Sequence, residues 1–399
     1  MQSIKELYKI GRGPSSSHTM GPYKAVTLFQ KEFPEADFIK VYLYGSLALT
    51  GKGHLTDQVI EEALTHIPHE IVFDIKKPCP VHPNTMECIA FQKKQEIGKW
   101  TIYSVGGGTI EIEGISAIES PSIYPHSTIK DIKAYCAQKG MDYAAYVYEV
   151  EPDIHSYLED VWTTMQNCIE KGLQGTGLLP GKLQIPKEAK HLYEKALLCE
   201  NDKRPQLLSA YAYAVGEVNA CAGTIVTAPT CGAAGVLPSI LYYMKMQEQI
   251  TDTQILDALA VAGLFGNVIK TNASISGAEC GCQAEVGSAS AMASSALASI
   301  KGLSLDKIED AAEIAMENHL GLTCDPIYGL VQIPCIQRNA AAAMRSFDAV
   351  LLAQALFGRQ KVSFDMVVDT MYETGKDLAS HYRETSTGGL AKKYCKDEK

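Results

Sequence analysis

Ser120-Pro121-Ser122-Ile123-Tyr124-Pro125 divides the chain into two unlike parts. Two prolines within six residues disfavour both a continuous helix and a ladder strand, so residues 119–127 read as a linker. Before it, short β-branched and aromatic runs dominate. Phe38-Ile39-Lys40-Val41-Tyr42-Leu43-Tyr44 is the clearest strand, and 70–75, 86–93, 100–105 and 109–113 follow it. Helical spacing over 23–33 and 57–66 completes a small α/β domain, residues 1–118. After the linker, strand signals nearly vanish. Helices are expected over 128–138, 155–170, 187–198, 205–222, 253–269, 286–300, 305–316, 339–357 and 363–376, several of them rich in Ala, Gly and Ser. The chain is thus expected to be α+β, its small N-terminal domain followed by a larger all-α domain over 128–399.

At 399 residues the chain exceeds one ordinary domain. A net charge of −10 excludes the concentrated basic face that nucleic-acid binding needs. Met1-Gln2-Ser3-Ile4-Lys5-Glu6 lacks the apolar stretch of a signal peptide. No apolar run is long enough to cross a bilayer. A cytoplasmic protein is expected, with neither membrane nor nucleic acid as partner. Its twelve cysteines then lie in a reducing compartment, where disulfides rarely persist. Cys136, Cys168, Cys199 and Cys221 fall in helical patterns and read as small buried apolar residues. Cys79 and Cys88, which flank a His-Pro-Asn turn, read the same way.

Three other cysteines stand in short breaks between Ala-rich helices: Cys282 in Ala278-Glu279-Cys280-Gly281-Cys282-Gln283, Cys324 in Leu322-Thr323-Cys324-Asp325-Pro326, and Cys335 in Ile333-Pro334-Cys335-Ile336-Gln337-Arg338-Asn339. Three thiolates converging from loops can hold a four-iron cluster and leave one iron without a protein ligand. An open iron is a Lewis acid able to draw a hydroxide from a substrate. Near the N-terminus, Gly11-Arg12-Gly13-Pro14-Ser15-Ser16-Ser17-His18-Thr19-Met20-Gly21-Pro22 offers hydroxyls and backbone N–H groups to a carboxylate. A Ser-rich helix cap with a solvated histidine explains the same residues without a ligand. His82-Pro83-Asn84-Thr85 is a second turn with a titratable group. Thr227 to Gly235 and Lys270 to Gly277, the latter holding Asn272 and Ser274, are polar breaks whose burial is costly unless partners satisfy them.

Taken together these segments resemble the iron–sulfur L-serine dehydratases. The resemblance rests on Ser15-Ser16-Ser17-His18-Thr19 with Gly21-Pro22, on Thr50-Gly51-Lys52-Gly53-His54 with Thr56-Asp57, on His82-Pro83-Asn84-Thr85-Met86, and on Asn272-Ala273-Ser274-Ile275-Ser276-Gly277-Ala278-Glu279. The three cysteine loops and Tyr382-Arg383-Glu384-Thr385-Ser386 with Gly388-Gly389-Leu390-Ala391 complete it. It implies a 4Fe-4S cofactor held by Cys282, Cys324 and Cys335, L-serine as substrate, and a homodimer. It also implies a tail thiol, here Cys395, that occupies the open iron until substrate displaces it. Three positions depart from the family pattern: Cys280 stands for an apolar residue, Cys231 for asparagine and Gln337 for glutamate.

Dehydration of serine needs loss of the α-proton and of hydroxide, so a base that is neutral near pH 7 is wanted. His18 and His82 are the candidates. Ser15, Ser16, Ser17, Thr19, Gly21, Asn84, Asn272 and Ser274 are expected to contact substrate, at an interface between the two domains. A pyridoxal-phosphate lyase is the rival for the same net reaction, with Lys270 as its Schiff-base lysine. That reading leaves the three cysteines unexplained.

Overall fold

The computed structural model describes residues 1–115, 121–199, 201–358 and 361–397. Part of the expected linker, residues 119 and 120, lies outside the described residues. The strands are β1 (Ile10–Arg12), β2 (Phe38–Tyr44), β3 (His69–Asp74), β4 (Thr85–Gln92), β5 (Gln95–Gly106), β6 (Thr109–Ile112) and β7 (Thr224–Val226). Five of them form one sheet in the order β3-β2-β4-β5-β6. β2 runs parallel to β3, while β2, β4, β5 and β6 pair antiparallel in turn. Ile39, Val41 and Leu43 alternate onto the buried face of β2, beside Met86, Cys88 and Ala90 of β4. Helix Gly21–Glu32 covers that face through Ala25, Val26 and Phe29, and Phe29 meets the Trp100 ring edge-on at 5.2 Å.

A parallel β2–β3 pair requires a crossover. Here it is made by the short helix Gly45–Thr50 and helix Thr56–Ala63, and it carries Ser46 and His54 to the C-terminal end of β2.

The helical unit is built around Ser288–Ile300, whose residues from Ser288 to Ala298 are all buried. Its Ala and Ser side chains let helices Asp252–Asn272, Leu305–Glu317 and Cys335–Ala355 approach closely. Most of the buried hydroxyls are satisfied locally, Ser288 Oγ being without a partner. Ser294 donates to Ser290 O at 2.8 Å, Ser295 to Met292 O at 2.8 Å, and Ser290 and Ser346 lie 3.1 Å apart. The helix starts are punctuated as the residues dictate: Thr251 and Gln254 form a capping box, and Ser304 and Ser363 cap their helices.

The first eight residues pack with the helices. Ile4, Leu7 and Tyr8 are buried in the helical core, and the Tyr8 hydroxyl donates to Leu259 O at 2.9 Å. Glu151 accepts the Ile4 N–H at 3.0 Å and the Tyr124 hydroxyl at 2.5 Å, tying the start of the chain to the segment after the linker. β1 then pairs antiparallel with β7, Ile10 opposite Val226. Helices Tyr143–Val150, Val236–Gln247 and Gly389–Asp397 are present beyond those expected. None of the helices among the described residues is long and apolar enough to cross a membrane.

Candidate active site

The Ser-rich loop is one turn of π-helix, Ser16–Met20, capped by Ser15, whose Oγ accepts the His18 N–H at 3.1 Å. Thr19 Oγ1 accepts the Ser15 N–H at 3.1 Å and donates to His54 O at 2.8 Å. From outside, Ser104 donates to Ser17 O and Thr56 to His18 O, each at 2.7 Å. Gly21 has no room for a side chain, since a Cβ there would lie 2.3 Å from Ser104 Oγ. Ser15 and Thr19 therefore spend their hydroxyls on holding the loop.

That loop buries His18 against His54, ring centroids 4.3 Å apart. His18 Nε2 faces Ser46 Oγ at 3.1 Å and Thr50 Oγ1 at 3.0 Å. Both hydroxyls give their protons elsewhere, Ser46 to Glu384 O and Thr50 to Ser46 O. They must then accept from His18, so Nε2 carries the ring proton. Its Nδ1 is left as the acceptor, 2.9 Å from Ser17 Oγ and 3.6 Å from Glu384 Oε1. His54 donates from Nδ1 to Thr50 O at 3.0 Å, which leaves Nε2 as its acceptor, 3.7 Å from the same Glu384 oxygen. Burial holds His54 down at about 4, and burial with the neighbouring His54 holds His18 well below the usual imidazole range. Both rings are neutral bases at pH 7.

His82 has the other polarity. Its Nδ1 accepts the Asn84 N–H at 3.0 Å, so in the neutral ring, which burial favours, Nε2 bears the proton. That Nε2 is buried with no partner, as are Asn84 Oδ1, Ser276 Oγ and Glu384 Oε2. Asn84 Nδ2 donates to Ser104 O at 3.2 Å. Sheet and helices meet closely here: a Cβ on Gly106, at φ +104°, would lie 3.3 Å from Ser276 Cβ.

The three loop thiols are all buried. Cys282 follows Gly281, whose φ of +75° turns the chain after helix Gly277–Cys280. Cys324 lies in extended backbone paired with the tail: its N–H donates to Tyr382 O and its carbonyl accepts the Glu384 N–H, both at 2.8 Å. Cys335 opens helix Cys335–Ala355. Sulfurs of Cys282 and Cys324 and a Glu285 carboxylate oxygen lie within 4.8 Å of one another. A hydrogen bond from Cys324, helped by Arg338, lowers the Cys282 thiol to about 6 and raises Cys324 in return. Burial and then the Cys282 charge raise Cys335. Glu285 is pushed up to about 8 by burial and the same charge. Arg338 is anchored by Thr323 O at 2.5 Å and Asp325 at 3.5 Å.

Other expected positions fall elsewhere. Cys280 faces helix Phe364–Asp377, and a Cβ on Gly375 would lie 2.6 Å from its sulfur. Asn272 donates to Ser127 O and Val268 O, fixing the linker end. Ser274 donates to Glu279 at 2.7 Å and takes the Ser276 N–H. Cys395 sits half-exposed on helix Gly389–Asp397, and among the described residues no hydrogen bond joins its sulfur to the three buried thiols. Cys231 packs on Met20, sulfur to sulfur 3.6 Å. Gln337 bonds Tyr213. Glu384, His54 and Glu285 were not singled out from sequence. A charged or titratable residue inside an otherwise glycine- or serine-rich polar segment was the available signal.

Two groups of buried side chains able to hold a metal, His18 with His54 and Glu384, and Cys282 with Cys324 and Glu285, mark a candidate catalytic centre. Comparison with known proteins gives the family. Residues 57–391 match the model described as serine dehydratase alpha chain, and residues 3–67 the one described as serine dehydratase beta chain. An L-serine dehydratase of Haemophilus influenzae is 38% identical over 98% of this chain and 99% of its own length. Those of Streptomyces coelicolor and Helicobacter pylori are 37% and 38% identical, each over 98% of both chains. This chain belongs to the serine dehydratase family, with the beta-type and alpha-type portions in a single polypeptide.

Proposed function

We propose that this lyase removes water from L-serine and releases pyruvate and ammonia, with a 4Fe-4S cluster held by Cys282, Cys324 and Cys335. The observation that carries the reading is the buried pair Cys282 and Cys324, within 4.8 Å of each other and of Glu285, with Cys335 near enough to feel the Cys282 charge and Glu384 near enough to act on Cys324. Four buried polar atoms, His82 Nε2, Asn84 Oδ1, Ser276 Oγ and Glu384 Oε2, have no partner. The residues fit such a cluster. The donors are soft thiolates, and Gly277 leaves the sulfurs uncrowded where a Cβ would lie 3.3 Å from Cys324 Sγ. When bound, the cluster supplies a Lewis acid that eases departure of the substrate hydroxyl.

The chain's own groups account for the rest. His82 Nε2–H and the Ser276 hydroxyl are donors suited to a carboxylate, and Asn84 Oδ1 is an acceptor suited to an ammonium group. The α-proton passes to the His18–His54 pair, whose acceptor nitrogens both face Glu384. His82 acts as donor, because its acceptor nitrogen is held by the fixed Asn84 backbone N–H, whereas the Ser17 hydroxyl beside His18 Nδ1 can rotate away. Ser46 and Thr50 keep His18 in its tautomer, and the loop over 15–21 keeps the ring buried. Cys395 is the displaceable fourth ligand, which its position on the tail helix requires that helix to deliver by shifting.

The test is anaerobic reconstitution with iron and sulfide, followed by pyruvate formation from L-serine, L-threonine and L-cysteine. Pyruvate from L-serine that tracks bound iron supports the proposal. Full iron loading without turnover of L-serine sinks it.

A further inference from the structure

A cavity of about 770 Å³ lies where β1, helix Gly21–Glu32, helix Thr56–Ala63 and helix Ile154–Leu173 meet. Four cations line it, Lys5, Lys9, Arg12 and Lys24, against two carboxylates, Glu6 and Glu62. Lys9 pairs with Glu6 at 3.3 Å and Arg12 with Glu62 at 2.8 Å. Lys24 forms no ion pair among the described residues, and Lys5 lies over the Tyr157 ring, 5.6 Å from its centroid. Behind the wall Lys270 donates to Gln2 Oε1 and Glu6 O. Burial, and then the charge of Lys9, lower it to about 8. The positive excess is local, because the chain as a whole carries −10.

Tyr23, Tyr157 and Met20 supply apolar wall. A ligand that suits this cavity carries two or more negative charges on an apolar or aromatic body. We propose that the cavity is a second ligand site, distinct from the centre at the thiols, for a multivalent small-molecule anion, either a polycarboxylate or an organic phosphate. Its occupant touches the catalytic loop directly. Thr19 lines the cavity and donates to His54 O at 2.8 Å. Met20 lines it as well, with its sulfur 3.6 Å from Cys231 Sγ. Filling the site therefore changes the support of His18 and His54, and turnover responds to the ligand.

The test is calorimetric titration of the cluster-loaded protein, anaerobic and at low salt, with tricarballylate and separately with phenyl phosphate. Both are weak iron chelators, so the cluster absorbance serves as the control. Binding of either probe in the millimolar range or tighter, weakened about tenfold or more in the double variant Lys5→Glu, Lys24→Glu, supports the site. Tricarballylate alone identifies a polycarboxylate ligand and phenyl phosphate alone a phosphate. Absence of binding by both at roughly 10 mM, or binding that the double variant leaves unchanged, overturns it. Both substitutions are at exposed positions, and neither touches the thiols or the histidines, so the variant keeps its fold and cluster as the reference state.

Discussion

The Ser-rich loop and the thiol group both lie beside Glu384 yet are satisfied in opposite ways. Around His18, nearly every hydroxyl and carbonyl has found a partner within the chain: Ser15, Thr19, Ser46, Thr50, Thr56 and Ser104 all bond their neighbours. Around Cys282 the sulfurs have little but one another, Glu285 and Arg338, and their titration is pulled apart because no one of them can ionise without disturbing the rest. The first half is preorganised by the polypeptide. The second is the half that the proposed cluster would complete. The contrast teaches that histidine tautomers can be fixed by second partners long before substrate arrives, whereas a thiol cage is finished only by its inorganic guest.

The sharpest break of this comparison is Cys335→Ala. Iron, labile sulfide and pyruvate formation are all expected to be lost, while far-ultraviolet dichroism stays as in the parent. A variant that keeps iron and turnover would place the sulfur outside the cage. Next in size, His54→Asn and His18→Asn are expected to lower kcat by about 10²- to 10⁴-fold with the visible absorbance of the cluster unchanged. Loss of absorbance in step with kcat would show that the two halves are not separable.

Acidity tests the histidine half alone. His54 titrates at about 4 in the folded chain and near 6.5 unfolded, so the unfolded state binds the extra proton between those values. Stability is therefore full above pH 6.5 and is lost as the pH falls toward 4, by about 2 kcal/mol between pH 7 and pH 5. Glu285, raised to about 8, works in the reverse sense and gains stability as the pH falls from 8 toward the ordinary carboxylate range. Denaturant midpoints of wild type and His54→Asn at pH 7 and pH 5 isolate the histidine share. Equal acid losses in both would refute it. The smallest expected effect is at Gly277→Ala, where the new Cβ would meet Glu285 Oε2 at 2.5 Å. A cost of about 1 kcal/mol is expected, with lower iron retention on desalting, and unaltered retention would mean the cage has slack.

The sheet was legible because its strands alternate. Ile39, Val41 and Leu43 announce β2 at its observed bounds, and the later strands fall within a few residues of their runs. β1 and β7 were not legible, since each has three residues and its partner lies more than two hundred positions away. Helix Val236–Gln247 was hidden by burial on all sides, which removes the polar face that gives a helix its period. The packing of Ile4, Leu7 and Tyr8 into the helical core follows a helical spacing too short to notice in isolation. Among the candidate residues, the three cysteine loops and both motif histidines stand out by residue type. Glu384 had only its polar segment to mark it, because its burial is created by the pairing of the tail with Cys324.

That pairing sets an order of events as the chain is made. All three sulfurs leave the ribosome before the strip from Tyr382 to Glu384 that walls in Cys324. Until the strip docks, Cys324 lacks those two backbone partners, so synthesis itself provides an interval in which the proposed cluster would meet the thiols before that side is walled in.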